Sequence, residues 1–187
     1  MINTICEYLL NHQIGILEHD TIPGIVGIAT VDNAKKIQAI KQRSQSKGFI
    51  VLIPSTNHLK KLTTKIPETT NQIINAYWPG PLTIIFEKHP NISTTISGQS
   101  KTIAIRCPNH PMLSKLLKKL NQPLISTSAN LSGETAISNK ILKAVDFTYG
   151  NIKNCKNQAS TIVDATTSPM KILREGSLSI SLNLNEM

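Results

Sequence analysis

The sequence predicts an α/β fold, a sheet covered by helices. Helical and strand patterns alternate along most of the chain, the arrangement expected of such folds. "FIVLI", residues 49–53, is a fully apolar strand of the kind buried on both faces. At 187 residues and 40% hydrophobic composition the chain can fill one core, so a single domain over 1–187 is expected.

The elements follow in order. Ile2, Ile5, Cys6, Leu9 and Leu10 recur at helical spacing and make the first segment an amphipathic helix rather than a signal peptide. "IGIL" reads as a strand. Asp32 is placed to cap a helix running to about Lys41, with Ala34, Ile37 and Ile40 on one face. After "FIVLI", helical stretches begin at Ser55 and Glu68, the second ending near Tyr77. "PLTIIF" and "TIAIR" are strands. "HPMLSKLLKKL" is a helix with Met112, Leu113, Leu116, Leu117 and Leu120 inward and Lys115, Lys118 and Lys119 outward. "PLIS" is a strand, a helix is expected from Ser138 to about Phe147, and a polar Asn- and Lys-rich loop leads to strands at "TIVDA" and "KILR".

The formal charge of +9 points to an anionic partner, either nucleic acid or a phosphate-bearing small molecule. It resides on 17 Lys and only 3 Arg, namely Arg43, Arg106 and Arg174. A planar fork that binds phosphate or carboxylate through two hydrogen bonds has no substitute in Lys, so a Lys-biased chain should keep Arg where that geometry matters. Ordinary surface positions are the competing explanation for each one singly. No apolar run approaches the ~18 residues needed to span a bilayer, so a cytoplasmic protein is expected. Cys6, Cys107 and Cys155 are distant in sequence and form no C-x-x-C, and the five His fit no metal-binding pattern. Packing thiols and no protein-held metal are expected.

Two polar clusters stand out. "KQRSQSKG" places Lys41, Arg43 and Lys47 in a loop between a helix and a buried strand, where cations also suit a helix C-terminus. "LISTSANLSG" begins where a strand ends. Its five short polar side chains, Ser126, Thr127, Ser128, Asn130 and Ser132, exceed what a capped turn needs and suit an anion or nucleotide at a sheet edge. "WPGPLT" makes a rigid turn that delivers Thr83 onto a strand, and "ASTIVDAT" adds Ser160, Thr161 and Asp164. The P-loop, the G-x-G-x-x-G fingerprint and the G-x-S-x-G elbow are all missing. Ser44-x-x-Lys47 with Ser128-x-Asn130 imitates a serine acyl-transfer set, but that serine should open a helix, and a strand starts after Gly48 instead.

Taken in order, "KQRSQSKG", "WPGPLT", "IAIRCPNHP", "STSANLSG" and "STIVD" resemble the signature of the YrdC/TsaC family, the threonylcarbamoyl-AMP synthases, from about residue 14 to residue 176. The "STSAN-x-SG" string and the order of the set carry the resemblance. It implies a YrdC-like open, twisted, mixed sheet with flanking helices around a basic cavity. It implies a nucleotidyltransferase in which L-threonine is carboxylated by bicarbonate or CO2. The carbamate then attacks the α-phosphate of ATP, giving threonylcarbamoyl-AMP and pyrophosphate.

The implied substrates are ATP with Mg2+, L-threonine and bicarbonate, and the implied downstream partners are tRNA threonylcarbamoyltransferase proteins, with direct tRNA binding left open. On this resemblance Lys41, Arg43, Lys47 and Arg106 offset the phosphate charge. Ser126, Ser128, Asn130 and Ser160 hold ATP and the adenylate, and Asp20, Thr21 and Thr83 hold threonine. One segment departs from the family pattern "PT[DE]TVYGLG". Here "EHDTIPGIVG" keeps Asp20, Thr21 and Gly24 but puts Glu18-His19 for Pro-Thr and Pro23 for the aromatic. Two other functions stand beside the synthase: a non-catalytic RNA-binding or regulatory module, which the net charge favours, and a synthase for a different amino acid, which follows from the altered segment. The scarcity of aromatic residues counts against the RNA module.

Overall fold

The computed structural model describes residues 1–131, 134, 137–152 and 158–181. Its elements run α1 (Ile2–Leu10), β1 (Gly15–Leu17), β2 (Gly24–Ile28), α2 (Val31–Lys41), β3 (Ile50–Leu52), a 3-10 turn (Thr56–Lys61), α3 (Glu68–Tyr77), β4 (Leu82–Glu87), α4 (Thr94–Ser97), β5 (Thr102–Arg106), α5 (Pro111–Leu120), β6 (Leu124–Ser128), α6 (Asn139–Ala144), β7 (Phe147–Tyr149), β8 (Thr161–Asp164) and β9 (Lys171–Arg174). The nine strands form one open sheet in the order β7-β1-β2-β6-β3-β5-β4-β8-β9. Pairing is parallel at β1–β7, β3–β5 and β4–β8 and antiparallel at the remaining junctions, so the sheet is mixed.

Residues alternate between the two faces of each strand, and that alternation divides the core. On one face Ile16, Ile25, Val51, Ile84, Ile105 and Ile125 pack with Ala34 and Ile37 of α2, Ile73 and Ile74 of α3, and Ile141 of α6. On the other, Leu17, Val26, Ile28, Leu52 and Leu124 meet Ile5, Cys6 and Leu9 of α1 and the leucines of α5. The helices α1 and α5 thus cover the part of this second face built from β1, the Val26–Ile28 end of β2, the Leu124 end of β6 and the Leu52 end of β3, leaving Gly24, Ser126 and Ser128 open. Across β3, β5, β4 and β8 the same face carries Ile50 opposite Ala104, Ala104 opposite Ile85, and Thr83 opposite Ile162, and the functional cavity opens over Ile50, Ala104 and Ile162.

The structure departs from the sequence expectations in four places. β2 lies in "GIVGI", where two glycines mask a strand that is buried throughout. Helix α2 is capped by Thr30, whose hydroxyl accepts from Asn33 N, while Asp32 sits in the first turn. The helix opened by Ser138 stops at Ala144, and Phe147–Tyr149 pairs with β1 as a strand. The short α4 has no strong periodicity to announce it. Cys6 and Cys107 are buried free thiols, and burial raises both pKa values. Cys155 and Ser132 lie outside the described residues. Among the described residues no helix is long and apolar enough to cross a membrane.

Candidate active site

The uncovered half of the sheet floors a cavity of about 260 Å³. Its lining brings small residues, Gly24 of β2, Ser126 and Ser128 of β6 and Ala104 of β5, beside the larger Ile50, Leu52 and Ile162. Register brings them together, since Gly24 lies opposite Ser128, and Ile50 lies between Ser126 and Ala104. Gly24 is required by close approach, because a Cβ there would stand 2.5 Å from Ser126 Oγ and 2.8 Å from His19 Cε1.

All three arginines of the chain line this cavity. Each is held differently. Arg106, at the end of β5 and 2% exposed, donates from Nε to Gly80 O at 3.0 Å and from Nη1 to Thr21 Oγ1 at 2.7 Å. Its Nη2 pairs with Asp20 Oδ1 at 2.7 Å. Burial lowers the pKa of this guanidinium, and the Asp20 carboxylate opposes that shift. Arg43 follows α2, donates from Nη2 to Gly48 O at 2.7 Å and lies 5.8 Å from the centre of the Phe49 ring. Arg174 ends β9 and donates to Ser160 O at 3.0 Å and Ser160 Oγ at 3.1 Å. Neither Arg43 nor Arg174 has a carboxylate partner among the described residues, and burial lowers the pKa of both. Two cations without a carboxylate partner among the described residues, Arg43 half-buried and Arg174 exposed, give the cavity a positive lining suited to an anion.

Lys41 behaves otherwise. It is 1% exposed, and its ammonium donates to Ser128 O, to Asn130 O at 2.5 Å, to Asn130 Oδ1 at 3.2 Å and to Ser128 Oγ at 3.3 Å. Burial, reinforced by Arg43 and Lys47, lowers its pKa to about 8, so at neutral pH it remains mostly protonated. This lysine ties the loop after α2 to the turn after β6. The side chain of Asn130 is absorbed in the same network, its Oδ1 accepting from Ser128 Oγ at 2.5 Å and its Nδ2 donating to Glu134 O. Lys47 is exposed, and its carbonyl accepts from Arg43 Nε at 3.3 Å.

Of the residues singled out from sequence, Arg43, Arg106, Thr21, Ser126, Ser128 and Ser160 line the cavity. Lys41, Lys47, Asn130, Asp20 and Thr83 do not. Asp20 is taken up by Arg106 and by Asn109 N at 3.0 Å, and Thr83 Oγ1 lies 2.8 Å from Ser160 Oγ in a buried pair. Two cavity residues, Arg174 and His19, were given no role by the family resemblance. Arg174 was marked by the rarity of arginine, and His19 by its departure from the family pattern. His19 is buried, its Nε2 has no partner among the described residues, and its pKa is pushed down to about 3 by burial and then by the Arg106 charge.

Fold and site together define an α/β protein with an arginine-lined anion cavity on one half-covered sheet face. The chain belongs to the Sua5/YciO/YrdC family, whose sequence profile, described as Telomere recombination, matches residues 7–176. It is 32% identical over 167 residues to the threonylcarbamoyl-AMP synthase of Pyrococcus abyssi, covering 85% of this chain and 49% of that protein. This chain thus spans about half the length of that relative. With the threonylcarbamoyl-AMP synthase of Vibrio parahaemolyticus it shares 34% identity over 78% of this chain and 82% of that one. The crystal structure of P. abyssi Sua5 complexed with L-threonine superposes with a TM-score of 0.88 at 26% identity, over 95% of this chain and 54% of that one.

Proposed function

We propose that the protein is a threonylcarbamoyl-AMP synthase, a nucleotidyltransferase that forms L-threonylcarbamoyladenylate, pyrophosphate and water from L-threonine, bicarbonate and ATP. The observation that carries this reading is the convergence of the only three arginines, from three separate segments, on one cavity floored by small hydroxyl side chains. The names of the relatives agree with it.

Each residue's part follows from its partners. Arg43 and Arg174, lacking counter-ions, take the phosphates and the negative charge that grows on them as the carbamate oxygen attacks the α-phosphorus. Arg106 is fixed in place by Asp20, Thr21 and Gly80 and presents its remaining N–H groups without a full uncompensated charge. Asp20 and Thr21 act as positioning residues through it. Lys41 and Asn130 shape the turn that carries Ser128, and Thr83 orients Ser160. The serine hydroxyls bind neutral oxygens and nitrogens of the nucleotide and adenylate.

No covalent nucleophile is required, because proximity and charge stabilisation suffice for an adenylyl transfer of this type. Magnesium would accompany ATP and would offset part of the phosphate charge. No carboxylate is among the described residues that line the cavity, and Asp20 is committed to Arg106. At about 260 Å³ the cavity sits just under the size of an ordinary ligand site, about 300 Å³ and upward. It encloses the reacting carbamate and phosphates, with part of the nucleotide outside. The product passes to a tRNA threonylcarbamoyltransferase.

The test is pyrophosphate release from ATP with magnesium. Release that needs both L-threonine and bicarbonate is expected. Tight ATP or RNA binding without release under any amino acid would favour the binding-module reading instead.

A further inference from the structure

Among the described residues His19 is the one imidazole lining the cavity, and both it and Ser126 border the bare Gly24. A Cβ at Gly24 would lie 2.5 Å from Ser126 Oγ and 3.1 Å from His19 Nε2, so both polar atoms border the same gap. His19 Nε2 has no hydrogen-bond partner among the described residues, and His19 is only 6% exposed. A buried polar atom left unpaired is costly and calls for a partner that the protein itself does not supply.

The chemistry of that partner is restricted. The imidazole is neutral at working pH, so it does not compete with Arg43 and Arg174 for phosphate or carboxylate. A cationic group would face Arg106 close by. A neutral imidazole offers one N–H and one bare acceptor nitrogen, and a serine hydroxyl both donates and accepts. A substrate hydroxyl has the same dual character, so whichever tautomer His19 adopts, the hydroxyl can donate to one of the pair and accept from the other. An apolar methyl in that place would leave Nε2 unpaired.

We propose, on the synthase reading above, that His19 Nε2 together with Ser126 Oγ receives the side-chain hydroxyl of the amino-acid substrate and so sets the choice of threonine over its isostere valine. A site that must hydrogen-bond a hydroxyl rejects the analogue lacking it, because its own buried groups lose their partner.

The experiment compares L-threonine with L-valine in the full chain, using pyrophosphate release and binding calorimetry on the wild type, His19→Leu and His19→Gln. The wild type should favour threonine by on the order of 10- to 100-fold. His19→Leu should bring the ratio to within a few-fold, mainly by losing threonine, and His19→Gln, whose amide reaches the position of Nε2, should restore part of it. In 15N-labelled wild type, the His19 Nε2 resonance should shift with threonine and stay in place with valine. An unchanged threonine-to-valine ratio in His19→Leu, or a resonance blind to threonine while threonine turns over, overturns the assignment of His19 and leaves the synthase standing. Failure of every amino acid to bind or to release pyrophosphate in the wild type overturns both.

Discussion

The ammonium of Lys41 is bound to the backbone carbonyl of Ser128, far away along the chain, and to Asn130 O at 2.5 Å in the same turn. These bonds fasten the loop carrying Arg43 to the turn carrying Ser128, so two walls of the cavity depend on one side chain. Lys41→Met would strip the donor from both carbonyls, and each unsatisfied buried acceptor costs about 1–3 kcal/mol. Urea unfolding should therefore show a loss of about 2 kcal/mol or more, accompanied by weaker ATP binding. A Lys41→Met protein with wild-type stability and abolished turnover would mean that the ammonium works on the substrate directly.

Arg43 and Arg174 carry the site's unpaired charge, and ATP affinity should follow them. Charge-assisted hydrogen bonds contribute about 1.5–3 kcal/mol, so Arg43→Gln or Arg174→Gln should weaken ATP binding roughly 10- to 100-fold. Calorimetry at two ionic strengths also reads the salt dependence, which should flatten in each variant because one cation fewer is screened. Arg174→Lys should recover little, since a point charge does not reproduce the fork that spans Ser160 O and Ser160 Oγ.

Much of this architecture was legible in the chain. Helix α5 shows its buried leucines and exposed lysines directly in the spacing, and "TIAIR" is a strand on any template. The same strand also carried the site's design. Ile103 and Ile105 face the core while Ala104 and Arg106 face the cavity, so small and cationic residues alternate with large apolar ones. The rarity of arginine in a lysine-biased chain was the strongest signal, and it reached Arg174 as well. What stayed hidden depends on pairing. Gly24–Ile28 carries no clear element of its own until its partners β1 and β6 are known, and Phe147 reads as a helix end until β1 claims Phe147–Tyr149 as a strand. The roles of Lys41 and Asp20 could not be read locally either, because a lysine's acceptors and an aspartate's cation come from segments more than 80 residues away.

Asp20 and Arg106 form a largely buried ion pair at 2.7 Å, which predicts an asymmetric response to mutation. Removing one partner of such a pair leaves the other charge without compensation and costs about 3–5 kcal/mol when burial is complete. Asp20 is 14% exposed, so Asp20→Asn should fall at or below the lower end of that range. The Asp20→Asn/Arg106→Met double variant should recover part of the loss, since no lone charge remains. Trp78, the single tryptophan, is buried in the core and reports unfolding in urea. Strictly additive losses would show that the pair is not coupled.

His19 predicts an acid sensitivity with a defined sign. Its pKa is about 3 in the folded protein and 6.5 in the unfolded chain, because burial and the Arg106 charge oppose protonation. Between those values the unfolded chain binds a proton that the folded protein refuses, so stability rises with pH through this window and is lost as pH falls from 6.5 toward 3. At pH 5 the loss assignable to this group is about 2 kcal/mol. Carboxylates contribute in the same direction, so the comparison must be made between proteins. His19→Gln has no proton to gain, and its stability should decline less than that of the wild type between pH 7 and pH 5 by about 2 kcal/mol. Parallel declines for the two proteins would place the acid sensitivity on other groups and would require an imidazole that opens to solvent at little cost.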